Sequence, residues 1–174
     1  MGPFWRLLFI ILVIYCVLIE GKKWSRHREQ NQVVTQALVD GGAQLASVGI
    51  PANCVGKKFC ITVFIAPWCP VCHSCEPTFR GLYKYLPKNR PDVGFGLVIG
   101  SDRPEKNAKK QKELEPIESY TDDSGSIMNT RHISAFPTWV VTSDSGEELS
   151  RQTGGLVVNA ESQIPQALDV ILGR

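Results

Sequence analysis

Apolar residues along the chain fall into three patterns: one long unbroken run, a helical stripe, and short β-branched blocks separated by polar turns. The run is Leu7 to Ile19, preceded by Phe4 and Trp5, which suit a membrane interface. Together they approach the short limit of a membrane span, about 17 residues. Residues 1–20 therefore read as a transmembrane anchor. The run closes on Leu18-Ile19-Glu20 with no Ala-x-Ala-like site, which predicts a retained anchor rather than a removed signal. Cys16 follows Tyr15 rather than the small residue of a lipid-modified cysteine, and reads as one more apolar position in the span. Residues 21–50 read as a juxtamembrane helical linker, with Val33, Val34, Ala37 and Leu38 on one helical face and Gly41-Gly42 ending it.

The compact domain is expected over residues 51–174. Phe59 to Ile65 is apolar at consecutive positions and rich in β-branched residues, the pattern of a central strand buried on both faces. A helix is expected from Cys69 or Pro70 to Leu86, stopping before Pro87. Val93 to Ile99 predicts a second buried strand, Arg103 to Glu115 a polar helix, Thr121 to Gly125 a turn, and Ile127 to His132 a short helix. Thr138 to Thr142 and Leu149 to Gln152 flank Ser143-Asp144-Ser145-Gly146, a hairpin signal. Pro165 to Leu172 predicts a last helix with its proline in the first turn. The order β, α, β, α, β, β, α implies an α/β sandwich around a mixed sheet, parallel at first and antiparallel at the hairpin.

Composition adds bounds. The 174 residues are 43% hydrophobic and 21% charged, enough for one globular domain and an appendage. A net charge of +2 gives no footing for nucleic-acid binding. Lys106, Lys109, Lys110 and Lys112 alternate with Glu105, Glu113 and Glu115, which reads as a solvated helix face. Lys22, Lys23, Arg26 and Arg28 follow the apolar run, so the positive-inside rule places the domain in the cytoplasm. Six cysteines in a small protein argue for an oxidising compartment instead. The cysteines are given the greater weight, and the domain is expected on the extracytoplasmic side.

Candidate chemistry centres on Cys69 and Cys72 in Ala66-Pro67-Trp68-Cys69-Pro70-Val71-Cys72, directly after the first predicted strand. The spacing places a dithiol where a strand hands over to a helix. A helix N-terminus offers unpaired N–H groups and partial positive charge, both of which stabilise a thiolate. Cys69, nearer that end and expected to be the more exposed, is the candidate attacking thiol, and Cys72 the resolving one.

Three separated features then coincide: Trp68-Cys69-Pro70-Val71-Cys72, Pro77 five residues after Cys72, and Phe136-Pro137-Thr138 opening the hairpin strand. On these residues, residues 51–174 resemble the thioredoxin-fold superfamily, most closely its membrane-anchored, TlpA/ResA-like bacterial members. The resemblance implies a thioredoxin-like three-layer sandwich with a central mixed β-sheet, preceded by an N-terminal transmembrane helix. It also implies a helix kinked at Pro77, a cis Pro137 beside the dithiol, and a substrate-binding loop of Trp68, Pro70, Val71, Phe136, Pro137 and Thr138. The implied activity is thiol–disulfide exchange without a cofactor, on protein thiols and disulfides. The implied setting is a bacterial inner membrane with the domain in the periplasm, and a membrane thiol transporter is the implied electron source.

Two departures bear on redox direction. Where general reductases of this fold carry a buried aspartate, six residues before the first cysteine, this chain has Val63. Where TlpA/ResA-like proteins often carry a glutamate, three residues after the second cysteine, it has Cys75, with Glu76 one position on and read as an exposed helix residue. A reductase is favoured over an oxidase. Cys75 reads as an apolar filler or an auxiliary thiol. Cys54 and Cys60 read as a structural disulfide, a second redox relay, or, for Cys60, a packed strand residue. His73 and His132 read as surface or satisfied polar groups. The alternatives carried forward are a copper or zinc module using these thiols, and a redox-linked assembly factor.

Overall fold

The computed structural model describes residues 51–173, so the expected anchor at 1–20, with Cys16, and the expected linker at 21–50 lie outside the described residues. Among those described, no helix is long and apolar enough to cross a membrane. Five strands form one sheet: β1 (Phe59–Ile65), β2 (Val93–Gly100), β3 (Ser119–Asp122), β4 (Thr138–Ser143) and β5 (Glu148–Thr153), in the order β3-β2-β1-β4-β5. β1 pairs with β2 and β2 with β3 in parallel, while β4 runs antiparallel to both β1 and β5. The mixed sheet, parallel on one side and antiparallel at the hairpin, is the one the element order implies.

Five helices complete the domain: α1 (Pro70–Ser74), α2 (Glu76–Asn89), α3 (Pro104–Glu113), α4 (Ser126–Thr130) and α5 (Ile164–Leu172). The period-two alternation of β1 sends Ile61, Val63 and Ile65 to one face and Phe64 to the other. The first set joins Phe79, Leu82 and Leu86 of α2 and Ile164, Leu168 and Ile171 of α5 in the larger core. Phe64, Val98 and Val140 pack with Met128 of α4 in a smaller cluster on the opposite face. Helix layers thus cover both faces, which is why β1 and β2 carry apolar residues at nearly every position.

Several expectations are corrected. The helix after the dithiol is two helices, α1 and α2, parted at Cys75. Pro77 has no N–H to offer the His73 carbonyl and its ring crowds that carbonyl, so regular winding fails one turn earlier. Pro87, expected to stop the helix, lies inside α2. Leu86 stays pinned in the core, and the Arg90 N–H still reaches the Leu86 carbonyl at 2.8 Å, so the last turn survives. Ser119–Asp122 is an edge strand that overlaps the expected turn. Its polar residues suit a strand paired only to β2, and buried Asp122 accepts from Ile127 N–H (3.2 Å) and Met128 N–H (2.8 Å) at the start of α4. The face of α3 read as solvated is buried at Asn107 and Lys110.

Cys54 and Cys60 are joined in a disulfide between the short turn at Ala52–Cys54 and the start of β1. β2 accommodates it with a glycine: a Cβ on Gly94 would lie 2.7 Å from both the Cα and the Sγ of Cys54. The Cα belongs to a cross-linked turn and cannot move aside. Gly94→Ala is expected to destabilise the domain by about 1–3 kcal/mol, the usual cost of overpacking. A urea midpoint unchanged from the parent protein would contradict that packing.

Candidate active site

β1 ends at Ile65, and the chain crosses Ala66-Pro67-Trp68 before α1 begins at Pro70. Cys69 is the residue that caps α1: it is extended (φ −81°, ψ 111°), and its Sγ accepts the Cys72 N–H at 3.1 Å. Pro70 in the first turn has no N–H of its own to leave unpaired. The Cys69 thiol also donates to the Phe136 carbonyl across 3.5 Å, which brings the 136–138 loop against the dithiol. The Phe136–Pro137 peptide is cis. Glu115–Pro116 is cis as well, at a position that carried no sequence signal.

Both members of the pair are covered. Cys69, expected to be the exposed thiol, is 3% exposed against 0% for Cys72, so the two differ little in access. They are distinguished by polar surroundings. Burial pushes the Cys72 thiol well above its ordinary value, the hydrogen bond to Cys69 pushes it further, and a backbone interaction at Ala66 opposes them only in part. Burial raises the Cys75 thiol too, against a partial offset from the Leu156 backbone. Cys69, Cys72 and Cys75 are all free thiols.

The rim of the site is apolar. Trp68 is 56% exposed, which excludes a packed core role, and Val71 is 44% exposed. The Trp68 indole meets the Phe136 ring edge to face at 5.8 Å and donates from Nε1 to the Ser101 carbonyl at 2.8 Å. Ser101 holds a left-handed φ of 62° directly after β2. Thr138 is buried, its hydroxyl turned to the Ala135 carbonyl at 2.7 Å, so it braces the loop from behind. Val63, where a carboxylate would sit in a general reductase of this fold, is fully buried opposite Trp139 of β4.

Sequence reasoning missed two groups. The segment Gly154–Val158 runs beside α1: a Cβ on Gly155 would meet Val71 Cγ1 at 2.7 Å and Cys75 Sγ at 3.5 Å. Thr78 ties this segment to α2, donating to the Leu156 carbonyl at 2.7 Å and accepting the Val158 N–H at 3.0 Å. The second group is polar. Buried Lys110 of α3 donates to Glu76 of α2 and to His73 Nδ1 of α1 at 3.0 Å, while His73 Nε2 lies 2.9 Å from the Pro67 carbonyl. Glu76 is thus paired rather than an exposed helix residue. Nothing in a Lys/Glu-rich helix marks one lysine as buried, so no local signal was available. Among the described residues no three His, Cys, Asp or Glu side chains converge to hold a metal ion, which leaves the metal-module alternative without a ligand set there.

Burial alone would raise the Glu76 carboxyl, but its bond and ion pair with Lys110, with a smaller influence of the adjacent His73, outweigh it and hold the carboxyl below the usual range. A depressed carboxylate contributes stability that is full above its unfolded value, about 4.3, and is lost as pH falls through the folded value. Acidification from about pH 5 to pH 3 is therefore expected to lower the urea midpoint. Glu76→Gln should cost about 1–3 kcal/mol at pH 7 and should flatten that acid-side decline. Parallel pH curves for the two proteins would refute the pairing.

No family model matches the sequence, and no curated protein matches it by sequence. Solved structures do match. StoA from Bacillus subtilis superposes with a TM-score of 0.50 at 22% identity, covering 66% of this chain and 84% of that one. A secreted Mycobacterium tuberculosis disulfide oxidoreductase gives 0.52 at 16% identity, covering 68% and 85%. A thiol:disulfide interchange protein of the thioredoxin family from Chlorobium tepidum gives 0.51 at 19%, covering 70% and 84%. The domain has the thioredoxin fold.

Proposed function

We propose that this chain is a membrane-tethered thiol–disulfide oxidoreductase that reduces or exchanges disulfides of exported or membrane proteins. The observation that carries the reading is the environment of Cys69: its Sγ caps α1, accepts the Cys72 N–H at 3.1 Å, and lies beside the Phe136 carbonyl and cis Pro137. A helix-end N–H aimed at sulfur stabilises the thiolate, the nucleophile of disulfide exchange. Solved structures of the same fold are described as disulfide oxidoreductases and interchange proteins, which supports the same chemistry here.

In the reductive direction, the Cys69 thiolate attacks one sulfur of a substrate disulfide, the substrate S–S bond breaks, and the released substrate thiolate takes up a proton. Burial still holds the Cys72 thiol up in the new Cys69–substrate disulfide, but the further rise from its hydrogen bond to the Cys69 thiol is relieved. Cys72 then loses its proton and attacks Cys69 Sγ, freeing the second substrate thiol and leaving a Cys69–Cys72 disulfide. Trp68, Val71 and Phe136 offer the substrate an apolar edge, and the Phe136 backbone lies where an extended segment can pair. Electrons must then return from a thiol donor, for which a membrane thiol transporter fits the tether.

The Cys54–Cys60 disulfide supports an extracytoplasmic location, where such bonds persist. Cys60 enters β1 at its second residue and Cys69 follows β1 by four, so roughly 17 Å of strand separates the two ends. That separation favours a structural bond over a relay. The full chain in detergent is expected to reduce a protein disulfide faster than it oxidises a reduced substrate. Cys72→Ser should accumulate mixed disulfides with cellular proteins, and Cys69→Ser should abolish both reduction and trapping. Absence of mixed disulfides from Cys72→Ser, or faster oxidation than reduction by the parent chain, would overturn the reading.

A further inference from the structure

Lys110 stands apart from the other lysines of α3. It is 4% exposed, and a buried ammonium requires polar partners. It has three: the Glu76 carboxylate of α2, Nδ1 of His73 on α1 at 3.0 Å, and Oε2 of Glu113 on α3 at 3.5 Å. An ammonium only donates, so the His73 nitrogen facing it must accept, which puts the imidazole proton on Nε2. Nε2–H then donates to the Pro67 carbonyl at 2.9 Å. The approach of Nδ1 to Glu76 Oε1, at 3.1 Å, is in this tautomer a contact between two acceptors that share Lys110 as donor.

We propose that Lys110, acting through His73, is a positioning residue for the Cys69 thiol. The ammonium fixes the ring and its tautomer, and the ring pins the carbonyl of Pro67, two residues before the sulfur. The proposal rests on the reading of Cys69 as the attacking group. The segment between β1 and α1 has other anchors: Cys69 N–H to the Ala66 carbonyl at 3.1 Å, the Trp68 indole to Ser101, and the two bonds of Cys69 Sγ. The first is internal to the segment, and the others act on its side chains. Its backbone is also met at both ends, at Ala66 by the Cys72 thiol and at the Cys69 carbonyl by the His73 N–H at 3.3 Å, leaving Pro67 between them to the His73 ring. His73 holds the backbone of the segment from outside it, and through Lys110 it couples that backbone to α3, between β2 and β3. Loss of the clamp leaves the remaining anchors and the fold in place, while the angle at which Cys69 presents its sulfur loosens.

The test is the rate at which the reduced full chain attacks a small aromatic disulfide, which reports on Cys69 without demanding substrate docking. His73→Leu and Lys110→Met are each expected to slow it roughly tenfold, short of the about hundredfold that a 1 Å misplacement can cost. The double variant should be no slower than either single one, because both act through one chain of contacts. His73→Gln should stay within about twofold of the parent, since its amide can accept from Lys110 and donate to Pro67. A residue needed only for folding would show additive losses and no rescue by Gln. If the parent chain reacts and His73→Leu, half-exposed and the safer variant for folding, reacts as fast, the positioning role is overturned while the oxidoreductase reading stands. If the parent itself does not react, the oxidoreductase reading falls and the positioning role falls with it.

Discussion

β1 is paired along both edges, to β2 in parallel and β4 antiparallel, and is buried on both faces by two apolar clusters. A strand held in this way can meet solvent only at its ends. Its C-terminal end is where the chain must turn out of the sheet into a helix, and that turn creates a place where a side chain can cap a helix while resting on a rigid support. Cys69 occupies it. The parallel partner β2 delivers Ser101 to the same edge, and the antiparallel β4 begins there with Phe136 and Pro137 just before it. Three separate stretches of chain are therefore brought to one rim by the pairing of a single strand.

The chemistry of the rim follows from an imbalance of polar support. Cys69 Sγ has a backbone N–H and a carbonyl within reach, whereas Cys72 sits beneath it with neither a carboxylate nor a base, because Val63 fills the position opposite Trp139. Burial then favours the neutral form of the inner thiol. The two sulfurs are nearly equal in access and differ in the hydrogen-bond partners around them. In the proposed function the pair is used in sequence, Cys69 first and Cys72 after Cys69 has become part of a disulfide.

Polar groups elsewhere in the domain act as ties between elements rather than as surface decoration. Thr78 joins α2 to the Gly154–Val158 segment, Asp122 joins β3 to α4, and Lys110 joins α3 to α1 and α2. Each is a buried group whose hydrogen bonds offset the cost of removing it from water. The Lys110 tie differs in consequence because its far end lies on the backbone that carries Cys69.

By itself the sequence determined what neighbouring residues can encode. The buried strands at Phe59–Ile65 and Val93, the hairpin at Ser143–Gly146, and the cysteine spacing at the strand-to-helix junction are periodicities and turns written in contiguous stretches, and all are formed as read. Trp68, Pro77 and Phe136-Pro137 made the fold legible as a resemblance, because their order along the chain is itself the pattern. The polar strand β3 was hidden: its one-sided pairing at the sheet edge asks for no apolar alternation. Tertiary structure alone decided that Lys110 is buried, that Glu76 is its partner, and that His73 points back to Pro67. These residues stand 34 and 37 positions from Lys110 along the chain. A lysine on a charged helix carries no local mark of burial, because its burial is a property of the neighbours that folding brings to it.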